Sequence, residues 1–174
     1  MSAPGMAALP LNRYAFHTTW SLAAPPGPVF DALVDLARYP DWWPDVRSVT
    51  KVDDDTAALV CRSSLPLALR LRMTRLEEDR AAGRVAVRLT GDLDGTLTGQ
   101  VERSGADGSD GTVLDIRQHV VVDKTVLRVL SPVAHPIFRM NHGLMMRRGL
   151  RACAGWSRSP EPGSRSRRLT PTNR

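Results

Sequence analysis

The sequence predicts an α+β domain in which a curved antiparallel sheet wraps around a long C-terminal helix. Three observations predict it. Between residues 47 and 122, apolar and polar residues alternate with period two, in segments separated by short turn-like breaks. Ahead of that stretch, apolar residues recur briefly at helical spacing. Behind it, one apolar stripe runs at helical spacing as far as Trp156.

The elements follow in chain order. Residues 15–22, AFHTTWSL, have strand composition, with Phe16, Thr18, Trp20 and Leu22 on one face. The APPGP stretch at 24–28 breaks the chain. Proline suits a first helical turn, where its missing N–H would be unpaired in any case. From Pro28, the residues Val29, Phe30, Leu33, Val34 and Ala37 follow helical spacing, and the helix is expected to stop near Tyr39, ahead of Pro40. The next stretch, YPDWWPDV at 39–46, is too short and too proline-rich for a long element. Adjacent side chains cannot face the same way on a regular element. One of Trp42 and Trp43 is therefore expected to plug the domain edge, and the other to sit near the surface or a pocket mouth.

Strands are expected near 47–53, 56–65, 67–77, 84–91, 95–103 and 112–122. The breaks DDDT (53–56), AAG (81–83), GDLDG (91–95) and SGADGSDG (104–111) are turn-like, and short connections imply hairpins and hence an antiparallel meander. Leu65, Leu67, Leu69, Leu71 and Met73 share one face against Arg70, Arg72 and Thr74. Val85, Val87 and Leu89 oppose Arg84 and Arg88. Leu97, Gly99 and Val101 oppose Thr96, Thr98, Gln100 and Glu102, and Leu114, Ile116, Gln118 and Val120 oppose Asp115, Arg117 and His119. One face is dry and the other wet, so something must cover the dry one. Residues 125–131 have helical composition but meet Pro132 and Pro136. From Pro136 to Trp156 nothing breaks a helix outright, although Gly143, Gly149 and Gly155 weaken it. Phe138, Asn141, His142, Met145, Gly149, Ala152, Cys153 and Trp156 fall on one stripe, with Arg139, Arg147, Arg148 and Arg151 mostly off it. About 20 helical residues span about 30 Å, enough to cross a small sheet.

A chain of 174 residues suits one domain. Cys61 and Cys153 lie far apart among apolar residues, with no CxxC spacing, and read as two buried thiols in a reducing compartment. The first residues lack the basic start of a signal peptide, and no apolar run is long enough for a membrane span. The expected location is the cytoplasm. The formal charge of +6 is uneven: 157–174 hold five arginines against Glu161 alone, leaving +2 for the first 156 residues. The expected organisation is a flexible N-terminus at 1–13, a domain at 14–156 and a disordered basic tail at 157–174. No specific nucleic-acid partner is expected, and the tail offers only weak contact with anionic surfaces.

The order of strand, helix, aromatic turn, six-strand meander and long final helix resembles the START-like, or SRPBCC, helix-grip superfamily over roughly 14–156. Two stretches carry the resemblance: APPGPVFDALVDLARYPDWWPDV at 24–46, and HPIFRMNHGLMMRRGLRACAG at 135–155. The second is similar to the final helix of members labelled polyketide cyclase/dehydrase. The resemblance implies an apolar cavity between the concave sheet face and the last helix. It implies no single reaction, because the fold hosts lipid carriers, cyclases, hormone receptors and quinone-binding proteins.

The expected occupant is a small hydrophobic molecule such as a lipid, a quinone or a polyketide-like compound. Its wall is assigned to Trp43, Leu67, Leu69, Leu71, Val87, Leu97, Ile116, Gln118, Phe138, Asn141, His142 and Met145. Gln118 is the polar residue on the inner parity of its strand. Either it orients a ligand carbonyl or hydroxyl, or it bonds backbone at a strand end or turns outward at a bulge. His142 either acts on a ligand, as donor or general base, or sits at the pocket rim, or packs the helix bonded to a neighbour. His17 and His119 fall on polar parities and His135 at a turn. Trp42 and Trp43 either gate the cavity, stack on a flat ligand or pack on the first helix. Met140, Met145 and Met146 suit an adaptable wall. No metal-ligand spacing is present, and neither metal nor cofactor is expected. The inner parity of the strands at 67–77, 84–91 and 95–103 reads as wholly apolar. That favours a ligand-binding protein over a polyketide cyclase or dehydratase, for which His142 is the candidate catalytic acid/base.

Overall fold

The computed structural model describes residues 12–62, 68–104, 111–123 and 134–156, with side chains from residue 139 onward in the last segment. Its seven strands are β1 (Arg13–Leu22), β2 (Val46–Lys51), β3 (Thr56–Cys61), β4 (Leu69–Asp79), β5 (Arg84–Gly91), β6 (Leu93–Ser104) and β7 (Gly111–Val122). They form one antiparallel sheet in the order β1-β7-β6-β5-β4-β3-β2. Strands β2 to β7 are the expected meander, each paired with the next. The first strand returns to lie along the last, with Arg13 opposite Val121 and Leu22 opposite Thr112. It begins at Arg13, two residues earlier than its composition suggests.

The expected strand β3 is shorter than its pattern: pairing with β2 and β4 ends at Cys61. Leu65 and Leu67 lie outside the described residues, as do the helical composition at 125–131 and the tail at 157–174. Gly83, at φ 66° in the β4–β5 turn, and Gly91, at φ 112° at the end of β5, occupy backbone that other residues rarely adopt. A Cβ on Gly83 would lie 2.3 Å from the Val101 carbonyl oxygen, and one on Gly91 2.5 Å from that of Arg70.

Between β1 and β2 lie α1 (Pro26–Val34), a 3₁₀ turn (Leu36–Arg38) and α2 (Tyr39–Trp42). This corrects the single helix expected from Pro28 to Tyr39. Asp35 leaves helical backbone at φ −84°, ψ 72°, while its N–H still bonds the Asp31 carbonyl. Pro40 then opens a new helical turn rather than closing the old one, because proline suits a first turn. The Tyr39 hydroxyl donates to the Leu33 carbonyl at 2.6 Å and ties the two pieces together.

The last helix, α3 (Ala134–Trp156), covers the concave face. Asn141, Met146, Gly149 and Cys153 are buried along it. Gly149 marks its closest approach: a Cβ there would fall 2.8 Å from the Trp43 indole and 3.1 Å from that of Trp20. Arg148 donates to the buried Asp45 carboxylate at 3.0 Å, fastening α3 to the turn before β2. At the far end, the Arg38 guanidinium stacks on the Trp156 ring, 4.5 Å from its centre. The core comprises Trp20, Leu22, Val29, Leu114 and Val122, all nearly inaccessible. Cys61 and Cys153 are buried thiols, as expected, and burial pushes each up to a pKa of about 11.

Candidate functional site

A cavity of about 490 Å³ lies between the concave sheet face and α3. Its floor is apolar because period-two alternation sends every second side chain of β4 to β7 inward. Leu69 and Leu71 come from β4, Val87 from β5, Leu97 from β6 and Ile116 from β7; Met145 and Met146 face them from α3. Trp43, Tyr39 and the C-terminal end of α1, Leu33 and Val34, close one side.

Three polar side chains, Gln118, Asn141 and His142, interrupt this wall. Gln118, 8% exposed, accepts a hydrogen bond at its Oε1 from His142 Nε2 at 3.0 Å. An amide oxygen only accepts, so Nε2 carries the proton and Nδ1 keeps its lone pair. The imidazole stacks on Phe16 of β1, with ring centres 3.8 Å apart and planes 12° from parallel. Burial disfavours its charged form and lowers its pKa from 6.5 to about 4. The pair is therefore neutral at physiological pH. One turn away, Asn141 donates to the Met145 sulfur at 3.8 Å. The buried Trp43 indole N–H has no hydrogen-bond partner among the described residues.

The opening is charged. Lys51 at the end of β2 and Asp53, Asp54 and Asp55 of the β2–β3 turn border it, with Arg75, Glu77 and Glu78 from β4. Arg75 donates to Asp55 through Nη2 at 2.6 Å and Nε at 3.0 Å, to Glu78 through Nη1 at 2.6 Å, and to the Asp54 carbonyl at 3.0 Å. Those bonds hold its pKa above the ordinary arginine value. Lys51 bonds Asp54 at 2.6 Å, and Arg84 takes Glu77 at 2.8 Å.

This opening corrects the expectation of a wholly apolar inner face. A bulge between Arg75 and Glu77 sets two residues of β4 against one of β5: Arg75 faces Val87, whereas Glu78 faces Val85. Residues three apart normally lie on opposite faces of a strand. Here the extra residue, Leu76, is extruded and 57% exposed, which brings Arg75 and Glu78 to the same face. A trace of this was visible in the sequence. Leu76 takes the polar parity and Arg75 the apolar one, so the alternation fails where the bulge sits.

Of the residues expected in the wall, Trp43, Leu69, Leu71, Val87, Leu97, Ile116, Gln118, Asn141, His142 and Met145 all border the cavity. Leu67 and the Phe138 side chain lie outside the described residues. Met140 is corrected: it is 71% exposed, on the solvent side of α3, while Met146 is buried. Trp42 is the buried plug, stacked on Trp43, which reaches the cavity. The Gln118 amide pairs with a side chain on α3, not with backbone. His17 bonds Asp115 on the outer face, and His119 is exposed. No group of three or more metal-ligating side chains occurs among the described residues, and no described helix is long and apolar enough to cross a membrane.

Residues 14–155 match the family described as polyketide cyclase/dehydrase and lipid transport. The chain belongs to this family. Its fold is shared with solved structures at low identity. The Zhui aromatase/cyclase from Streptomyces sp. R1128 is 17% identical, over 83% of this chain and 93% of that one, with a TM-score of 0.70. A START superfamily protein from Mycobacterium smegmatis is 17% identical over 81% and 94%, with a TM-score of 0.65. The di-domain ARO/CYC BexL from the BE-7585A biosynthetic pathway is 18% identical over 87% of this chain and 52% of that one, at 0.64. No curated protein sequence matches the chain. Likeness at this identity establishes the helix-grip fold and not a reaction.

Proposed function

We propose that this family member binds a small hydrophobic molecule between the sheet and α3. The observation that carries the reading is the cavity itself: about 490 Å³ with an apolar wall and a few placed polar groups. That is the size and character of sites that enclose most of a small ligand. Gln118 retains its amide N–H donors for a ligand carbonyl or hydroxyl. Trp43, Leu69, Leu71, Val87, Leu97 and Ile116 provide apolar contact. Two buried thiols fit a reducing compartment such as the cytoplasm.

Two measurements test this. The neutral dye Nile red should bind with one-to-one stoichiometry, and Leu97→Trp, which fills the middle of the cavity, should abolish binding while leaving cooperative unfolding intact. Denaturing freshly purified protein and analysing the released small molecules by mass spectrometry should yield an apolar compound. Failure of both would end the reading.

A second reading, polyketide cyclisation or dehydration, is favoured by family membership and by the His142–Gln118 pair inside the cavity. The neutral imidazole would take a proton at Nδ1 from a methylene flanked by two ketones. A pKa of about 4 makes it a weak base at neutral pH, which places this reading second. His142→Phe should abolish cyclised product from a poly-β-ketone substrate; unchanged turnover removes His142 from any mechanism.

A further inference from the structure

The register places the two polar ends of the cavity on one line. Gln118 lies opposite Leu97, Leu97 opposite Val87, and Val87 opposite Arg75. Three strand spacings separate Gln118 from Arg75, about 14 Å along the sheet. Between them the inner face is Leu97 and Val87 alone. A neutral hydrogen-bonding end and a charged end are thus joined by an apolar floor.

The charges of the second end are unbalanced. Asp53, Asp54, Asp55 and Glu78 stand against Lys51 and Arg75, with Glu77 already taken by Arg84. Among the described residues, both cations that border the cavity are committed to carboxylates, Lys51 to Asp54 and Arg75 to Asp55 and Glu78. Among the described residues the opposite end offers no cation either, since Gln118 and His142 form a neutral pair. An anionic ligand would lose hydration at one end without a counter-charge, or meet an excess of carboxylates at the other.

We infer that the cavity selects elongated neutral or basic molecules and rejects carboxylates, because four carboxylates from the β2–β3 turn and the end of β4 ring its mouth while the two cations among the described residues that border it, Lys51 and Arg75, are paired with them. A ligand amine lies at the mouth, and its hydroxyl or carbonyl lies against Gln118. This inference rests on the binding reading above and adds the charge class of the ligand to it.

The test uses three fluorescent probes that share one apolar body: 2-(hydroxymethyl)anthracene, 2-(aminomethyl)anthracene and anthracene-2-carboxylate. With the full chain at low salt, the carboxylate should bind at least about tenfold more weakly than the alcohol, and the amine at least as tightly as the alcohol. The gap should narrow as salt is raised. The double variant Asp54→Asn/Glu78→Gln removes two carboxylates, releases Lys51 and leaves Arg75 with Asp55 as its remaining carboxylate partner. It should strengthen carboxylate binding severalfold relative to the alcohol and weaken amine binding, with cooperative urea unfolding reporting that the fold is intact. Equal affinities for all three probes, or tightest binding of the carboxylate, would overturn the inference while leaving the binding reading standing. Failure of all three to bind would overturn the binding reading and this inference with it.

Discussion

The two ends of the cavity solve the same problem in opposite ways. At one end, His142 and Gln118 are drawn out of water, and the imidazole is kept neutral by burial. At the other, Arg75 stays charged in an exposed cluster, its side chain 44% accessible, and binds two carboxylates. Polarity in a dry site is tolerated when it is uncharged and paired, whereas charge is kept where water still screens it. The lesson is that hydrogen bonds of similar length, 3.0 Å at one end and 2.6 Å at the other, differ greatly in consequence because their surroundings differ.

The largest effect is expected where a contact mixes the two situations. Arg148 is half exposed, but its partner Asp45 is almost inaccessible. Arg148→Ala should cost about 2–4 kcal/mol in urea unfolding, because it strands a buried carboxylate. A cost of only a few tenths would break the claim that burial sets the consequence.

Next comes pH. His142 has a folded pKa of about 4 against an ordinary 6.5, so between these values the unfolded chain binds the proton that the folded one refuses. Stability should therefore fall as pH drops from 6.5 toward 4, by on the order of 3 kcal/mol from this group. The difference between the protein and His142→Phe, followed across that window, isolates it. A difference that does not change with pH would show that the imidazole is not held neutral.

A smaller loss, about 1–3 kcal/mol, is expected for Gln118→Leu, which leaves the His142 N–H buried without its acceptor. Adding His142→Phe should restore most of the stability, because two apolar replacements leave nothing unpaired. Additive losses in that double-mutant cycle would mean that the two side chains are not coupled. The smallest change belongs to Arg75→Ala. Its effect on the unfolding midpoint should be slight at low salt and absent at high salt, as screened surface pairs behave.

Much of this contrast was legible in the residues. The alternation of Leu69, Leu71, Val87, Leu97 and Ile116 foretells the apolar wall, and Gln118 stands out on it as an exception. The stripe on the last helix places Asn141, His142 and Met145 on its inner side. The charged mouth was not legible, because a bulge shifts parity midway along β4 and a strict period of two cannot represent it. Nor was the partner of Gln118, since an amide on a strand carries no sign of which helical residue will reach it. Asp45 gave no signal either: its burial follows from where Arg148 docks, 103 positions later.

By itself the sequence determined the strands, the two-sided character of the sheet and the apolar face of the final helix. Each of these follows from local periodicity, which a few neighbouring residues suffice to express. The tertiary structure alone decided that β1 closes beside β7, that His142 meets Gln118, and that Arg75 and Glu78 share the mouth. Those depend on register between strands and on the docking of a distant helix, and such long-range geometry is written in no single segment of the chain.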